Sequence, residues 1–482
     1  MTDDISSYIG KRGYTIYKEA LSVKDQRYIR EQLTVAPFIP KCPIKPEPYP
    51  IFQESQNKFY LPKYFGIENF GQPDKFGLSD GDPINLNFNG KLFPNQIAIV
   101  DAYFKSIDKT EGGGGLLDVP CGFGKTAMAL YIISKLSVKT LVIVHKGFLV
   151  NQWIERIKEF LPKARIGKIQ GQILDIENKD IVIGMLQSLS TKSYPHEMIN
   201  TFGLTVVDEC HHISSQVFSR SLLHFVTKYT LGLSATMERK DGLTHVFKLF
   251  LGDIVYSVKR EKEDNVIVKV IEYNSNDKDF EEIKYDYKGN PQYSSMITKI
   301  CSYNDRTELI LKVINKELID YPNQQIMILA QNKNILIYLF DAINHRNIAS
   351  VGYYVGGMKE EQLKESENKK IIVATYAMAA EGLDIKTLST LVLATPRTDI
   401  TQAVGRILRV KRERPLVIDI VDDHTIFKNQ YKKRKLFYKK NNYQIFETNN
   451  KKYFNNDYTL INKKKIKSNL KPENKTKCLL SI

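Results

Sequence analysis

The stretch L-L-D-V-P-C-G-F-G-K-T, Leu116 to Thr126, decides how the rest of the chain is read. An apolar run from Gly115 to Val119 predicts a buried parallel strand, a small glycine-containing turn follows, and Thr126 to Leu136 resumes with apolar helical spacing. Strand, anion-binding loop and helix is the order this predicts. Across Pro120, Cys121, Gly122, Phe123 and Gly124, the two glycines let backbone N–H groups line a pocket, and the helix beginning near Lys125 points its positive dipole end at the same place. Lys125 then reaches the outer phosphates of a nucleotide, and the Thr126 hydroxyl holds Mg²⁺. Val119 stands where the G-x-x-x-x-G-K-[ST] pattern has its first glycine, so an ordinary strand-to-helix turn stays open as the alternative.

Outward from this loop the same alternation continues. Apolar runs at Gly115–Val119, Thr140–Val144, Ile181–Ile183, Leu204–Val207 and Thr230–Leu233 are separated by helical segments. This predicts an α/β fold, a parallel sheet with helices on both faces and functional loops at the carboxyl ends of the strands. A charged stretch with a strand expected at Asn265–Tyr273 follows, and then a second alternating unit from about Arg306 to Val421, with strands expected at Gln325–Leu329, Ser350–Tyr354, Lys370–Ala374, Thr387–Leu393 and Leu416–Val421 and no phosphate loop of its own. The expected division is an accessory domain and linker over 1–88, a first α/β domain over 89–258, a second over 259–430 and a basic extension over 431–482. At 482 residues the chain exceeds one core. In the accessory region Tyr60, Tyr64 and Phe65 form either a small core or a base-stacking cluster.

Charge points to a polyanionic partner: 70 basic against 54 acidic residues give +16, of which the last 52 residues carry +12 from 15 Lys or Arg and 3 Asp or Glu. That Lys- and Asn-rich end predicts a mobile arm or a weakly ordered extension. Five cysteines without C-x-x-C spacing argue against a disulfide framework or zinc site and for a reducing compartment. The sequence shows neither an 18-residue apolar run nor a secretory leader, so a soluble intracellular protein without membrane association is expected.

Val206-Val207-Asp208-Glu209-Cys210-His211 places two carboxylates at the end of an apolar strand in the same predicted sheet as the loop. Metal-assisted phosphoanhydride hydrolysis needs such a pair, with Asp208 holding Mg²⁺ and Glu209 polarising the attacking water; a solvated turn is the bland alternative. His211 is expected to couple this site to its surroundings and His212 to be solvated. Ser234-Ala235-Thr236 can hydrogen-bond the acidic loop or merely cap a helix. In the second unit Gly382 and Asp384 offer a close backbone approach and a carboxylate for ribose hydroxyls or interdomain contacts, or a helix end closed by Gly382. Arg406 and Arg409, at i and i+3 of a helix, suit a developing γ-phosphate charge, or are surface arginines.

As an ordered set, these motifs with Phe93-Pro94-Asn95-Gln96, Thr140 to Trp153, Ala374 to Asp384 and Gln402 to Arg409 resemble superfamily 2 helicases over about 320 residues. V-P-C-G-F-G-K-T and L-G-L-S-A-T-M-E-R-K-D-G are similar to the transcription and nucleotide-excision-repair branch. D-E-C-H-H-I with G-R-I-L-R-V-K-R-E-R is similar to the poxvirus transcript-release helicases. The resemblance implies two RecA-like domains in tandem, ATP and Mg²⁺ as cofactors, and a DNA-dependent ATPase unwinding DNA 3′ to 5′ to release nascent RNA. It implies viral RNA polymerase and transcription factors as partners, and the virion and host cytoplasm as location. By motif position Gln96 reads the adenine, and Lys146, Gly147, Gln187 and Thr375 touch the nucleic-acid strand. An aliphatic residue at Val119 belongs to that branch, and Cys210 is read as a packing substitution. An RNA helicase and a nucleotide-gated scaffold without hydrolysis remain the alternatives.

Overall fold

The computed structural model describes residues 6–38, 46–108, 110–120, 122–212, 216–235, 237, 242–258, 266–381, 385, 387–407 and 414–461. The chain divides into two units, Met1–Arg260 and Glu261–Ile482.

In the first unit the expected strands form one sheet. Its order is Ile173–Asp175, Ile166–Gln170, Ile181–Met185, Thr140–Val144, Leu204–Asp208, Tyr229–Ser234, Gly112–Asp118, Ile254–Ser257. All of these pairs are parallel save the first. Every residue of Thr140–Val144 is buried because helices cover both faces, which is why the strand reads as an unbroken apolar run. Ile166–Gln170 instead alternates between buried and half-buried residues, so it has no continuous apolar run to mark it as a strand.

The accessory region folds into a five-stranded sheet in the order Gln53–Glu54, Lys58–Leu61, Gly13–Tyr17, Ser7–Gly10, Lys75–Phe76. Its Val23–Gln32 helix starts on a Ser22–Asp25 capping box. The Lys63–Phe70 helix docks this sheet onto the α/β domain. Tyr64 Oη meets Thr230 Oγ1 at 2.9 Å, and the Lys63 ammonium donates to the Lys228 carbonyl at 2.9 Å. The bare Cα of Gly114 makes this approach possible, since a Cβ there would lie 1.9 Å from Thr230 Oγ1 and 2.5 Å from Tyr64 Oη. Tyr64 and Phe65 therefore belong to packing; Tyr60 is half-buried beneath the Arg12 guanidinium, 4.8 Å from its ring. The expected linker runs extended along the α/β domain, with Asp82 N on Thr201 O (2.8 Å), Ile84 N on Ser137 O (2.9 Å) and Asn89 N on Phe160 O (2.7 Å).

Burial, with the Lys228 charge nearby, pushes the Lys63 ammonium down to about 8. The fold thus disfavours the charged form, and that handicap is full below pH 8 and fades as pH rises toward the unfolded value near 10.5. At 1.36 kcal/mol per unit the handicap is about 3 kcal/mol, against about 1 kcal/mol for the hydrogen bond to Lys228. Lys63→Met is expected to raise the unfolding free energy of the first unit by about 1–2 kcal/mol at pH 7 and by nothing near pH 10. Denaturant melts at the two pH values check this, and an equal gain at both refutes it.

In the second unit the sheet order is Val351–Tyr354, Ile371–Thr375, Gln325–Ala330, Leu388–Leu393, Leu416–Asp422, Ile267–Tyr273, Gln444–Asn449, Thr459–Leu460. The pairs are parallel up to the last, which is antiparallel. The C-terminal stretch differs from its expectation as a loosely ordered extension. Residues 431–461 supply most of the Thr425–Lys440 helix and the two strands that finish this sheet, while 462–482 lie outside the described residues. The basic composition concealed inward-facing residues: Arg434 is buried and clasps buried Asp419 through two contacts of 2.8 Å, with Tyr438 Oη on the same carboxylate at 2.8 Å. No helix among the described residues is long and apolar enough to cross a membrane.

Candidate active site

The phosphate-loop strand Gly112–Asp118 and the acidic strand Leu204–Asp208 flank Tyr229–Ser234, so the motifs at their carboxyl ends meet across one strand. Gly122 (φ 83°) and Gly124 (φ 86°) take the left-handed conformation that turns the loop back, and the Lys125–Leu136 helix starts immediately after, with Thr126 its second residue. Val119 is buried, its N–H held by the Ser234 carbonyl at 2.9 Å. Gln96 fastens the loop from outside: its Nε2 donates to the Phe123 carbonyl at 2.9 Å, and its Oε1 accepts the Phe93 N–H at 2.9 Å.

Glu209 sits at φ 49°, a conformation a non-glycine residue adopts at a cost, and this aims its side chain back at the loop. The Lys125 ammonium meets Glu209 Oε1 at 3.2 Å. Asp208 is held from two sides, Oδ2 by Trp153 Nε1 at 2.9 Å and Oδ1 by the Glu209 N–H at 3.0 Å. Burial, and then the Glu209 charge, push the Asp208 carboxyl up to about 6. His211 Nδ1 lies 2.9 Å from Ser234 Oγ and 3.4 Å from Glu209 Oε2, linking the acidic loop to the central strand. Cys210 is buried in the apolar cluster of the first sheet, where burial raises its thiol, in keeping with packing. Lys125, Glu209, Asp208, His211 and Ser234 thus converge, an arrangement suited to a nucleotide's outer phosphates and their metal ion.

Trp153, the chain's one tryptophan, holds the acidic loop although its sequence position assigns it no role. A buried indole needs an acceptor for its N–H, which was the available signal; that the acceptor would be Asp208, 55 residues on, was not. Burial, with Lys146 beside it, lowers neighbouring His145 to about 4, so it is neutral at pH 7.

The candidate strand-contact residues of the first unit share one edge. Lys146 caps the Gly147–Phe160 helix after Thr140–Val144, and Gln187 follows the adjacent strand Ile181–Met185, its Nε2 3.4 Å from the His145 carbonyl. Thr375 ends its strand in the second unit, its hydroxyl accepting Met378 N–H at 3.5 Å. Arg406 lies in the Thr401–Ile407 helix; Cys121, Thr236, Gly382, Asp384 and Arg409 lie outside the described residues.

Residues 89–239 match the family described as type III restriction enzyme, res subunit, and residues 308–413 match the helicase conserved C-terminal domain. A protein of Acanthamoeba polyphaga mimivirus named "Putative ATP-dependent RNA helicase L396" is 37% identical over 459 residues, 92% of this chain and 87% of the relative. The chain belongs to the superfamily 2 helicases. An African swine fever virus protein of the same designation, QP509L, is 27% identical over 383 residues, 74% of each chain. The two-domain helicase fold is shared with yeast (S. cerevisiae) Dbp5 bound to RNA and ADP BeF3, at a TM-score of 0.52 and 13% identity, covering 76% of this helicase and 95% of that chain. Both sheets are accordingly RecA-like domains in tandem, and the helicase is an ATP-driven enzyme acting on nucleic acid.

Proposed function

We propose that this helicase hydrolyses Mg²⁺–ATP at the carboxyl edge of its first sheet and uses the cycle to move along DNA 3′ to 5′ within a viral transcription system. The observation that carries the reading is the Lys125–Glu209 ion pair beside Asp208. Lys125 rests on the general base and is in place to exchange that carboxylate for a γ-phosphate. The site fits the metal. Asp208 is a buried carboxylate whose ionisation is suppressed, so an added cation there relieves the burial, with Thr126 two residues beyond the loop glycine as the hydroxyl ligand. When bound, Mg²⁺ supplies neutralisation of developing phosphate charge. Glu209 takes the proton of the attacking water, and His211 and Ser234 hold the acidic loop against the central strand. Gln96, already fixed to the loop, reads the adenine edge. In this reading Arg406 and Arg409 meet the developing γ-phosphate charge, and Gly382 and Asp384 hold the ribose. Lys146, Gly147, Gln187 and Thr375 touch strand phosphates, and nucleic-acid grip alternates between domains as ATP turns over. Release of nascent RNA from a viral polymerase, in the manner of the poxvirus transcript-release helicases, and residence in the virion and host cytoplasm belong to the same proposal.

The restriction-enzyme family match of the first domain supports DNA as the track. A second reading, RNA unwinding, is favoured by the names of the mimivirus and African swine fever virus relatives. Matched DNA and RNA duplexes with 3′ or 5′ tails, followed for unwinding and phosphate release, decide between them. The expected result is unwinding of 3′-tailed DNA; unwinding of RNA alone overturns the DNA reading, and absence of stimulated phosphate release by either overturns both.

A further inference from the structure

The Thr425–Lys440 helix sorts its cations by direction. Inward, Arg434 is spent on Asp419; at the flanks Lys435 meets Glu447 at 2.5 Å and Lys428 pairs with Asp423. Four others, Lys432, Lys433, Lys439 and Lys440, are exposed and have no acidic partner among the described residues, Lys432 making only a 3.4 Å contact with Asn429 Oδ1. Between them stands Leu436, 67% exposed. At 3.6 residues per turn these five side chains fall within an arc of roughly 120° and span about 12 Å of the axis. Crowded like charges repel in the free protein, and a polyanion laid along them removes that repulsion.

Within the second unit the stripe is also apart from the sheet edge at which Thr375 stands. The helix leaves the carboxyl end of Leu416–Asp422 and runs back to Gln444–Asn449, which is parallel to the same sheet, so Lys439 and Lys440 lie toward the amino edge. Thr375 ends its strand at the carboxyl edge.

We propose that the outer face of this helix, Lys432, Lys433, Lys439 and Lys440 around Leu436, is a further nucleic-acid contact that holds the phosphate backbone without reading sequence. One strand of a duplex presents a phosphate about every 3.4 Å of axis, so the stripe reaches three or so, while Leu436 lies against sugar. The inference rests on the helicase reading for its ligand class and adds a site that the motifs do not contain. It gives the helicase a hold on nucleic acid that does not depend on nucleotide state.

The test uses the full chain with K432Q, K433Q, K439Q and K440Q combined, beside the same four positions changed to Arg. Binding to a labelled duplex and a labelled single strand is followed from about 50 to 200 mM salt. The Gln variant is expected to bind about tenfold or more weakly, with a log affinity against log salt slope shallower by about 3, and the Arg variant to restore both. ATP hydrolysis at saturating nucleic acid should match the unmodified helicase. Unchanged affinity and slope overturn the proposal and leave the face to an acidic protein surface; loss that Arg does not restore overturns it as well. Failure of the unmodified helicase to show stimulated hydrolysis counts against the helicase reading instead, so the two failures are distinguishable.

Discussion

Glu209→Gln is expected to bind ATP but hydrolyse it about 10²–10⁴-fold more slowly, the range a positioned general base contributes. The substitution is nearly isosteric and keeps the backbone at φ 49°, so what it removes is the charge that polarises water. It also removes the partner that holds Lys125 at 3.2 Å in the nucleotide-free site. Both side chains are largely buried, at 11% and 19% exposure, so the pair is screened little, and breaking it opposes the transfer of Lys125 to a phosphate. ATP affinity should therefore rise, by roughly tenfold or less, while turnover collapses. Single-turnover hydrolysis and equilibrium binding of labelled ATP, each with and without nucleic acid, separate the two effects. Near wild-type turnover would remove Glu209 from the role of base, and slow turnover with equally weakened binding would assign it to holding the nucleotide instead.

How far the sequence could be read follows from where its signals were local. Thr140–Val144 and Leu204–Asp208 carry continuous apolar runs because helices bury both faces, and such runs are visible without knowing what lies across them. The carboxyl-end loops follow from strand ends, so Lys125, Asp208 and Glu209 are legible as candidates for one site, whereas the contact of His211 with Ser234 is not fixed by the sequence. What escaped was long-range. Trp153 reaches Asp208 across 55 residues, and Tyr64 reaches Thr230 across 166. Composition misled at the C-terminus, where a Lys-rich run reads as solvated although one residue in three or four of the helix faces inward: Phe427, Tyr431, Arg434 and Tyr438 are its buried positions. That spacing is the apolar and amphipathic stripe of a packed helix, and high charge on the remaining positions hid it.

Ending the chain after Gln430 should consequently prevent the second domain from folding, rather than trim a tail. The cut removes both side chains that hold the buried Asp419 carboxylate, Arg434 and Tyr438, and breaking such a pair from one side costs about 3–5 kcal/mol. It removes Tyr453, whose hydroxyl meets the buried Glu317 carboxylate at 2.6 Å. It also strips Gln444–Asn449 from Ile267–Tyr273, turning a strand paired on both sides into an open edge. Against a total of about 5–15 kcal/mol for a domain, these losses leave no margin. Arg434→Met alone isolates the first of them, and the expected cost is about 3–5 kcal/mol by denaturant melting of the second domain. Ending the chain after Ile461 instead removes 7 lysines and 1 glutamate, a net +6, and leaves every contact just named in place. That shorter cut should make nucleic-acid binding less salt-dependent. A chain ending at Gln430 that melts cooperatively at the full-length midpoint would show that the final helix and strands are dispensable to the sheet they complete.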